Sequence, residues 1–423
     1  MVAHIDDRGV TFHLARSGCL KPELLFISPR FLFPVDSGGK IRTTQILKGL
    51  VGGKFRIRLI SPATSAAASR FAKEIQSICD EFEYWPDERD TLGHRLRRFA
   101  SVVSSEPVAV ASDRSAAGCR FVQRCLAQRP SVVVFDFPHS AVLAPERIGV
   151  PSVLFTHNVE SWIFERHARV AENAPARLLW ADQYRKMVRF ENATLKRFDT
   201  VITVSEKDAA WFREEGDIAG VETIPTGVDL EYFSWQPPSG GSQVMFVGSM
   251  DWPANQDGIE FFLREVWPLV VKEVPAATMK VIGRSPPTRL VEAAPHASWT
   301  FTGYVDDVRP HAYGSAVSII PLRVGGGTRI KAYEAMAMGI PVVSTAIGVE
   351  GLPLEAERHY LQADDAASFA AATVRLLRDP GLRSRLSRQS RDIVDSRYSN
   401  REVARIFESI CSKTAQLNAE AAA

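Results

Sequence analysis

Short apolar runs alternate with longer amphipathic stretches along the first half of the chain. Residues 24–28 (LLFIS), 55–60 (FRIRLI), 131–135 (SVVVF), 152–156 (SVLFT) and 200–204 (TVITV) are compact and rich in β-branched or aromatic residues. Between them lie a Gly-rich turn at 36–40, a helical segment at 43–50 and a long helical stretch at 174–196. Continuous apolar runs predict strands buried on both faces, and helix-length crossovers predict a parallel sheet. Pro and Gly at 234–242 (SWQPPSGGS) break the pattern, which resumes at 243–247 (QVMFV), 278–282, 317–320 and 341–344. The chain therefore reads as α/β with two lobes. An N-terminal extension covers 1–20, a first lobe 21–233, a linker 234–242, a second lobe 243–395, and a terminal helix with a frayed tail 396–423. So short a linker predicts a cleft between the lobes, and in such sheets ligands bind beyond the C-terminal ends of the strands.

Bulk properties agree with that division. At 423 residues the chain exceeds what one core supports, a limit of about 250–300 residues. Its 45% hydrophobic and 9% aromatic content is that of a globular protein rather than a disordered or fibrous one. A net charge of +2 from 51 basic and 49 acidic side chains gives no reason to expect nucleic acid. The first 150 residues hold 21 Lys/Arg against 15 Asp/Glu, a surplus of +6. That surplus suits a phosphorylated substrate or peripheral contact with an anionic membrane, and equally an uneven surface with no partner. Five cysteines without CxxC spacing argue against a disulfide scaffold or a structural zinc site. Asp6 and Asp7 interrupt the N-terminus where a signal peptide needs an apolar core, and no run has the length of a membrane-spanning helix. The expectation is a cytoplasmic protein, in which the Asn192 sequon is a chance match.

The most informative stretch is 321–352. Gly325, Gly326 and Gly327 follow a strand and precede a helical run, so the backbone can approach a ligand and amides at a helix start can point at negative oxygens. Thr328, Arg329 and Lys331 add a hydroxyl and two cations at the same place. Glu334, a turn later, is a poor neighbour for phosphate but a good acceptor for the two hydroxyls of a ribose. A nucleoside diphosphate satisfies both requirements at once. The alternative is a tight loop in which Glu334 pairs with Arg329 or Lys331. The segment is not a dinucleotide fingerprint, because Ile330 occupies the third glycine position, and SGGKI at 37–41 is not a Walker A loop.

Other candidates sit at strand ends. In the first lobe, Gly38 and Gly39 make room for a phosphate or sugar that Lys40 or Arg42 neutralises, unless they form an ordinary surface turn. His157 follows the strand at 152–156 and can donate a hydrogen bond or act as a base, with Asn158 beside it. His139 is a lining candidate. In the second lobe, Gly248 and Ser249 offer amides to a diphosphate, Asp251 lines the gap, and Arg284 lies toward the base. No clustered side chains call for a metal ion, and no cofactor is expected.

Taken together, FPVDSGGKIR, FTHNVES, VITVSEKD, IPTGVDLEYF, FVGSMDWPANQDG, FTGYVDDVRP and GGGTRIKAYEAMAMGIPVVST resemble the GT-B-fold glycosyltransferases related to family 4. They are most similar to the sugar transferases of bacterial exopolysaccharide and PEP-CTERM systems. The resemblance spans about residues 22–395. It implies two facing Rossmann-like domains, an acceptor at the first and a nucleotide diphosphate sugar at the second, and metal-independent, retaining transfer to a saccharide or lipid-linked acceptor. Glu334 matches the final carboxylate of the family's Glu-x7-Glu motif, whereas Gly326 stands at its first position. Ser249 stands where relatives often carry Arg, and no Lys follows in SMDWPANQDG, so Arg329 and Lys331 are expected to take over the diphosphate. His157 is expected to position the sugar or the acceptor hydroxyl. A nucleotide-sugar epimerase on the same fold and a non-catalytic nucleotide-sugar-binding partner protein are the competing readings.

Overall fold

The computed structural model describes residues 2–6, 9–13, 21–88, 101–102, 104–171, 173–238, 240–324 and 330–421. The chain divides into two compact units, one of residues 1–225 with 403–423, the other of 226–402. The described residues of the first form a nine-stranded sheet, β1 (Val2–Asp6), β2 (Gly9–His13), β3 (Glu23–Ile27), β4 (Arg56–Ala63), β5 (Glu81–Pro86), β6 (Val132–Asp136), β7 (Ser152–Phe155), β8 (Thr200–Thr203) and β9 (Val221–Thr223). Its order is β1-β2-β5-β4-β3-β6-β7-β8-β9. β5 through β9 in this order are mutually parallel, and the β1–β2 hairpin joins β5 antiparallel at one edge.

The apolar runs feed two cores. Leu24, Phe26, Val132, Val134, Val153 and Phe155 project to one face of the sheet. Leu25, Ile27, Val133, Phe135 and Leu154 project to the other. Successive side chains in a strand point to opposite faces, so a continuous apolar run fills both helix layers at once. The helix Asn400–Ala421 joins the first core through Val403, Phe407, Ile410 and Cys411, spaced along one helical face. The terminal helix expected at 396–423 is thus returned to the first unit.

The second unit carries a six-stranded parallel sheet of β10 (Gln243–Val247), β11 (Thr278–Ile282), β12 (Trp299–Phe301), β13 (Val317–Ile320), β14 (Val342–Ser344) and β15 (Leu361–Gln362), in the order β12-β11-β10-β13-β14-β15. Val244, Phe246, Val281 and Ile319 enter one core, and Met245, Ile282 and Ile320 the other. Both units are Rossmann-like α/β layers, as the strand pattern predicts. Three details differ from expectation. Residues 2–6 and 9–13, part of the expected N-terminal extension 1–20, are strands of the first sheet. The Gly-rich turn is the start of the helix Gly38–Leu50 rather than a loop before it. Residues 234–238, part of the expected linker, belong to the second unit, where Trp235 Nε1 donates to Ser387 Oγ at 3.1 Å.

Candidate functional site

In the second unit the chemistry gathers at the C-terminal ends of β10, β11 and β13. Gly248 immediately follows β10, and its N–H donates to Ile282 O at 2.9 Å. A Cβ at this position would stand 2.6 Å from Lys331 Nζ. The missing side chain therefore makes room for the ammonium group. Lys331 lies in the first turn of the helix Ile330–Ala337, donates to Asn255 Oδ1 at 2.6 Å, and holds Nζ 4.6 Å from the Phe246 ring centre. Asn255 is buried and its amide donates to Ser249 O at 2.6 Å, which ties the lysine to the loop after β10.

Glu334 follows one turn later on the same helix face as Lys331. Both line a narrow recess with Phe233, Met245, Val247, Ser318 and Met338. Burial pushes the Glu334 carboxyl up to about 7, against the opposing pull of Lys331. Among the described residues, the recess thus sets the Lys331 ammonium and a carboxyl group poised near neutrality against a mostly apolar lining.

Beside it, Ser249, Asp251 and Arg284 form a linked trio. Ser249 Oγ donates to Asp251 Oδ1 at 2.7 Å, and Arg284 Nε donates to Ser249 Oγ at 2.9 Å while pairing with Asp251 Oδ2 at 3.1 Å. The Ser249 hydrogen bond, followed by the Arg284 charge, holds the Asp251 carboxyl below its usual range. A Cβ on Gly283 would overlap the Gly248 carbonyl, so the loops after β10 and β11 touch through bare backbone. Gly325, Gly326, Gly327, Thr328 and Arg329 lie outside the described residues.

In the first unit the strand ends build a buried polar cluster. Asp136, the last residue of β6, is fully buried. It accepts hydrogen bonds from Thr43 Oγ1 at 3.0 Å and from His157 Nε2 at 2.7 Å. With that proton on Nε2, His157 Nδ1 is an acceptor, and Arg42 Nη1 reaches it at 3.4 Å. Burial lowers the His157 pKa and overrides the opposing effect of Asp136, which favours the neutral ring. Burial likewise lowers Arg42 to about 10. Phe137 stacks on His157 with ring centres 3.9 Å apart, from a backbone φ of 66° that non-glycine residues seldom adopt. Its ring tip comes within 2.5 Å of where a Cβ on Gly39 would lie, which accounts for glycine there.

Of the other first-unit candidates, His139 reaches the cluster through Phe137, whose ring it parallels at 6.4 Å. Lys40 pairs with Asp36 at 3.1 Å and caps the Pro34 carbonyl, Gly38 is open to solvent, and Asn158 is exposed. His139 is buried, with Nδ1 3.9 Å from Asp113 Oδ2 and Nε2 3.5 Å from Glu160 Oε2. The structure thus brings together Gly248, Lys331 and Glu334; Ser249, Asp251 and Arg284; and Arg42 with His157. Asp136, Phe137 and Thr43 escaped the sequence reading, although an acid closing the run SVVVFD was a visible signal. Among the described residues, no group of three or more His, Cys, Asp or Glu is placed to hold a metal ion.

Residues 37–232 match the family model described as Glycosyltransferase Family 4, and residues 241–379 match Glycosyl transferases group 1. A phosphatidyl-myo-inositol mannosyltransferase of Mycobacterium leprae is 29% identical over 227 residues, 50% of this chain and 59% of that protein. An uncharacterized 44.6 kDa protein in the cps region of Klebsiella pneumoniae is 28% identical over 136 residues, 30% of this chain and 35% of that protein. The chain therefore spans less than two thirds of either relative. Among solved structures, sucrose-phosphate synthase from Thermosynechococcus elongatus superposes with a TM-score of 0.59 at 18% identity, covering 95% of this chain and 100% of that one. A variant of TarM from S. aureus, in a complex containing UDP, gives 0.62 at 10%, covering 92% and 99%. HepE from Anabaena in complex with UDP gives 0.58 at 13%, covering 92% and 100%. At these identities the likeness is one of fold.

Proposed function

From the premise that this chain belongs to the GT-B-fold glycosyltransferases related to family 4, we propose that it moves a hexose-type sugar from a nucleoside diphosphate to a saccharide or lipid-linked acceptor. Exopolysaccharide or related glycan synthesis is the setting we infer. The observation that carries this reading is the pairing of Lys331 and Glu334, one turn apart, in the recess beside Gly248. An ammonium suits the diphosphate, and a carboxylate suits the ribose hydroxyls. HepE and the TarM variant, each in a complex containing UDP, support uridine diphosphate as the first probe.

Transfer requires the anomeric carbon–oxygen bond to break while negative charge gathers on the leaving diphosphate. Lys331, Arg329 and the amides of Gly325, Gly326 and Gly327 are our assignments for stabilising it, with Thr328 as a hydroxyl donor; the Gly248 N–H and the Ser249 hydroxyl, expected in the same role, are already given to Ile282 O and Asp251. Arg284, held by Ser249 and Asp251, lies within reach of the same loop. Transfer with retention follows if the leaving phosphate accepts the acceptor's proton on the face from which it departs, a route that needs neither a covalent nucleophile nor a metal ion. In the first unit we assign His157 a sugar or acceptor hydroxyl through Nδ1, whose bond to Arg42 is long, while Nε2–H stays on Asp136.

Calorimetric titration with UDP tests the reading. Lys331→Ala, Arg329→Ala and Glu334→Ala should each weaken binding about tenfold or more, the loss of one charge-assisted contact. Unchanged affinity in folded Lys331→Ala and Glu334→Ala proteins would remove the nucleotide from this recess.

A further inference from the structure

The helices Glu160–Val170 and Ala174–Leu195 pack on each other across a short connection. The second buries Gln183, Met187, Glu191 and Thr194 on its inner face. Near its start Leu178 is 68% exposed and Leu179 42% exposed, and among the described residues no other two exposed large hydrophobics are adjacent. Trp180, half-buried beside them, stacks on His167 at 4.6 Å. Leucines so exposed are not explained by packing within the chain.

The surrounding charge is predominantly basic. Arg166, Arg169, Arg177, Arg185 and Arg189 are all exposed on the two helices. Leu178, Arg185 and Arg189 fall on one helix face by their spacing. The acidic side chains described on these helices do not balance them. Glu160 and Glu191 are buried, Glu165 pairs with Arg169 at 2.8 Å, and Asp182 pairs with Lys186 at 2.7 Å. Leu, Trp and Arg together, on a helix pair that lies flat rather than spans, match the chemistry of the boundary between lipid headgroups and acyl chains. Among the described residues no helix is long and apolar enough to cross a membrane.

We propose that this helical hairpin docks the protein on an anionic lipid bilayer, with Leu178 and Leu179 entering the headgroup layer and Arg185 and Arg189 meeting lipid phosphates. The inference stands apart from the reading of the second unit, because it concerns attachment rather than the sugar donor. Sedimentation with vesicles of phosphatidylglycerol and phosphatidylcholine, against phosphatidylcholine alone, reads it directly. The full chain should sediment with the anionic vesicles at low salt and be released as salt rises. Leu178→Asp with Leu179→Asp should lower the partition coefficient about tenfold or more, and Arg185→Glu with Arg189→Glu should abolish the preference for anionic lipid. Both positions are exposed, so UDP affinity and the melting temperature should hold in each variant, which separates lost docking from lost folding or a failed donor site. Three results would overturn the proposal: wild-type protein staying in the supernatant, both variants partitioning like wild type, or the leucine variant dissociating a dimer while its partition is unchanged. The last would assign the patch to a second copy of the chain.

Discussion

Replacing Glu334 by Gln separates the cost of a buried carboxylate from its use. Burial raises this carboxyl from 4.5 to about 7. At about 1.36 kcal/mol for each tenfold change in proton affinity, that rise sets a ceiling of about 3 kcal/mol. Glu334 is only partly buried, so solvent relieves part of this, and about 1.5 kcal/mol is the better expectation. The sign follows from the folded state holding its proton more tightly than the unfolded chain. The stabilising contribution is complete below about 4.5 and is lost as pH rises through about 7. The uncharged variant lacks this dependence, so it should melt about 3–6 °C above wild type at pH 8. The two should approach each other toward pH 5. Binding should run the other way. UDP-glucose carries no phosphate that titrates in this range, so its affinity for wild type should rise from pH 5.5 to 8 as the carboxylate forms. The variant should bind about tenfold more weakly at pH 8, with a flat profile. Scanning fluorimetry and calorimetry at the two pH values measure both effects. An equal melting difference at both values, together with unaltered UDP-glucose binding, would refute the reasoning.

Asp136→Ala leaves His157 and Thr43 without their buried acceptor; a loss of about 3 kcal/mol is expected from urea unfolding followed by a first-unit probe, and a loss below about 0.5 kcal/mol would show that the cluster rearranges freely. Gly283→Ala drives a Cβ into the Gly248 carbonyl. It should destabilise the second unit by about 1–3 kcal/mol and weaken UDP-glucose binding as the loop after β10 shifts, with calorimetry reading both. Gly39→Ala meets the Phe137 ring and should loosen its stack on His157, visible as a changed His157 ring signal by NMR while the second unit's UDP affinity holds.

The sheets were legible because their strands are apolar on both faces, and such runs have few alternatives. A strand built around acids was not, although β4 was read despite Arg56 and Arg58. β5 reads EFEYWP, but its acids are cross-strand partners: Glu81 pairs with Arg56, and Glu83 with Arg58. A strand whose charges cancel against its neighbour looks like a loop when read alone. β9, β12 and β15 are too short to show a period. The same logic governs the site. Gly248 and Lys331 were visible as residue types at a strand end and a helix start, because close approach and charge are local properties. Asp136 was not, since its value lies in two partners brought from other elements, Thr43 and His157. The exposed pair Leu178 and Leu179 was invisible for a similar reason. A leucine's exposure is decided by what packs on it.

The central claim is tested most directly by mass spectrometry of the full chain incubated with a panel of nucleotide sugars and cell-derived saccharide or lipid acceptors. An acceptor-dependent glycoside with release of the nucleoside diphosphate is expected, as is its loss in Lys331→Ala. An epimerised nucleotide sugar formed without any acceptor, or tight donor binding with no product across the panel, would contradict that claim.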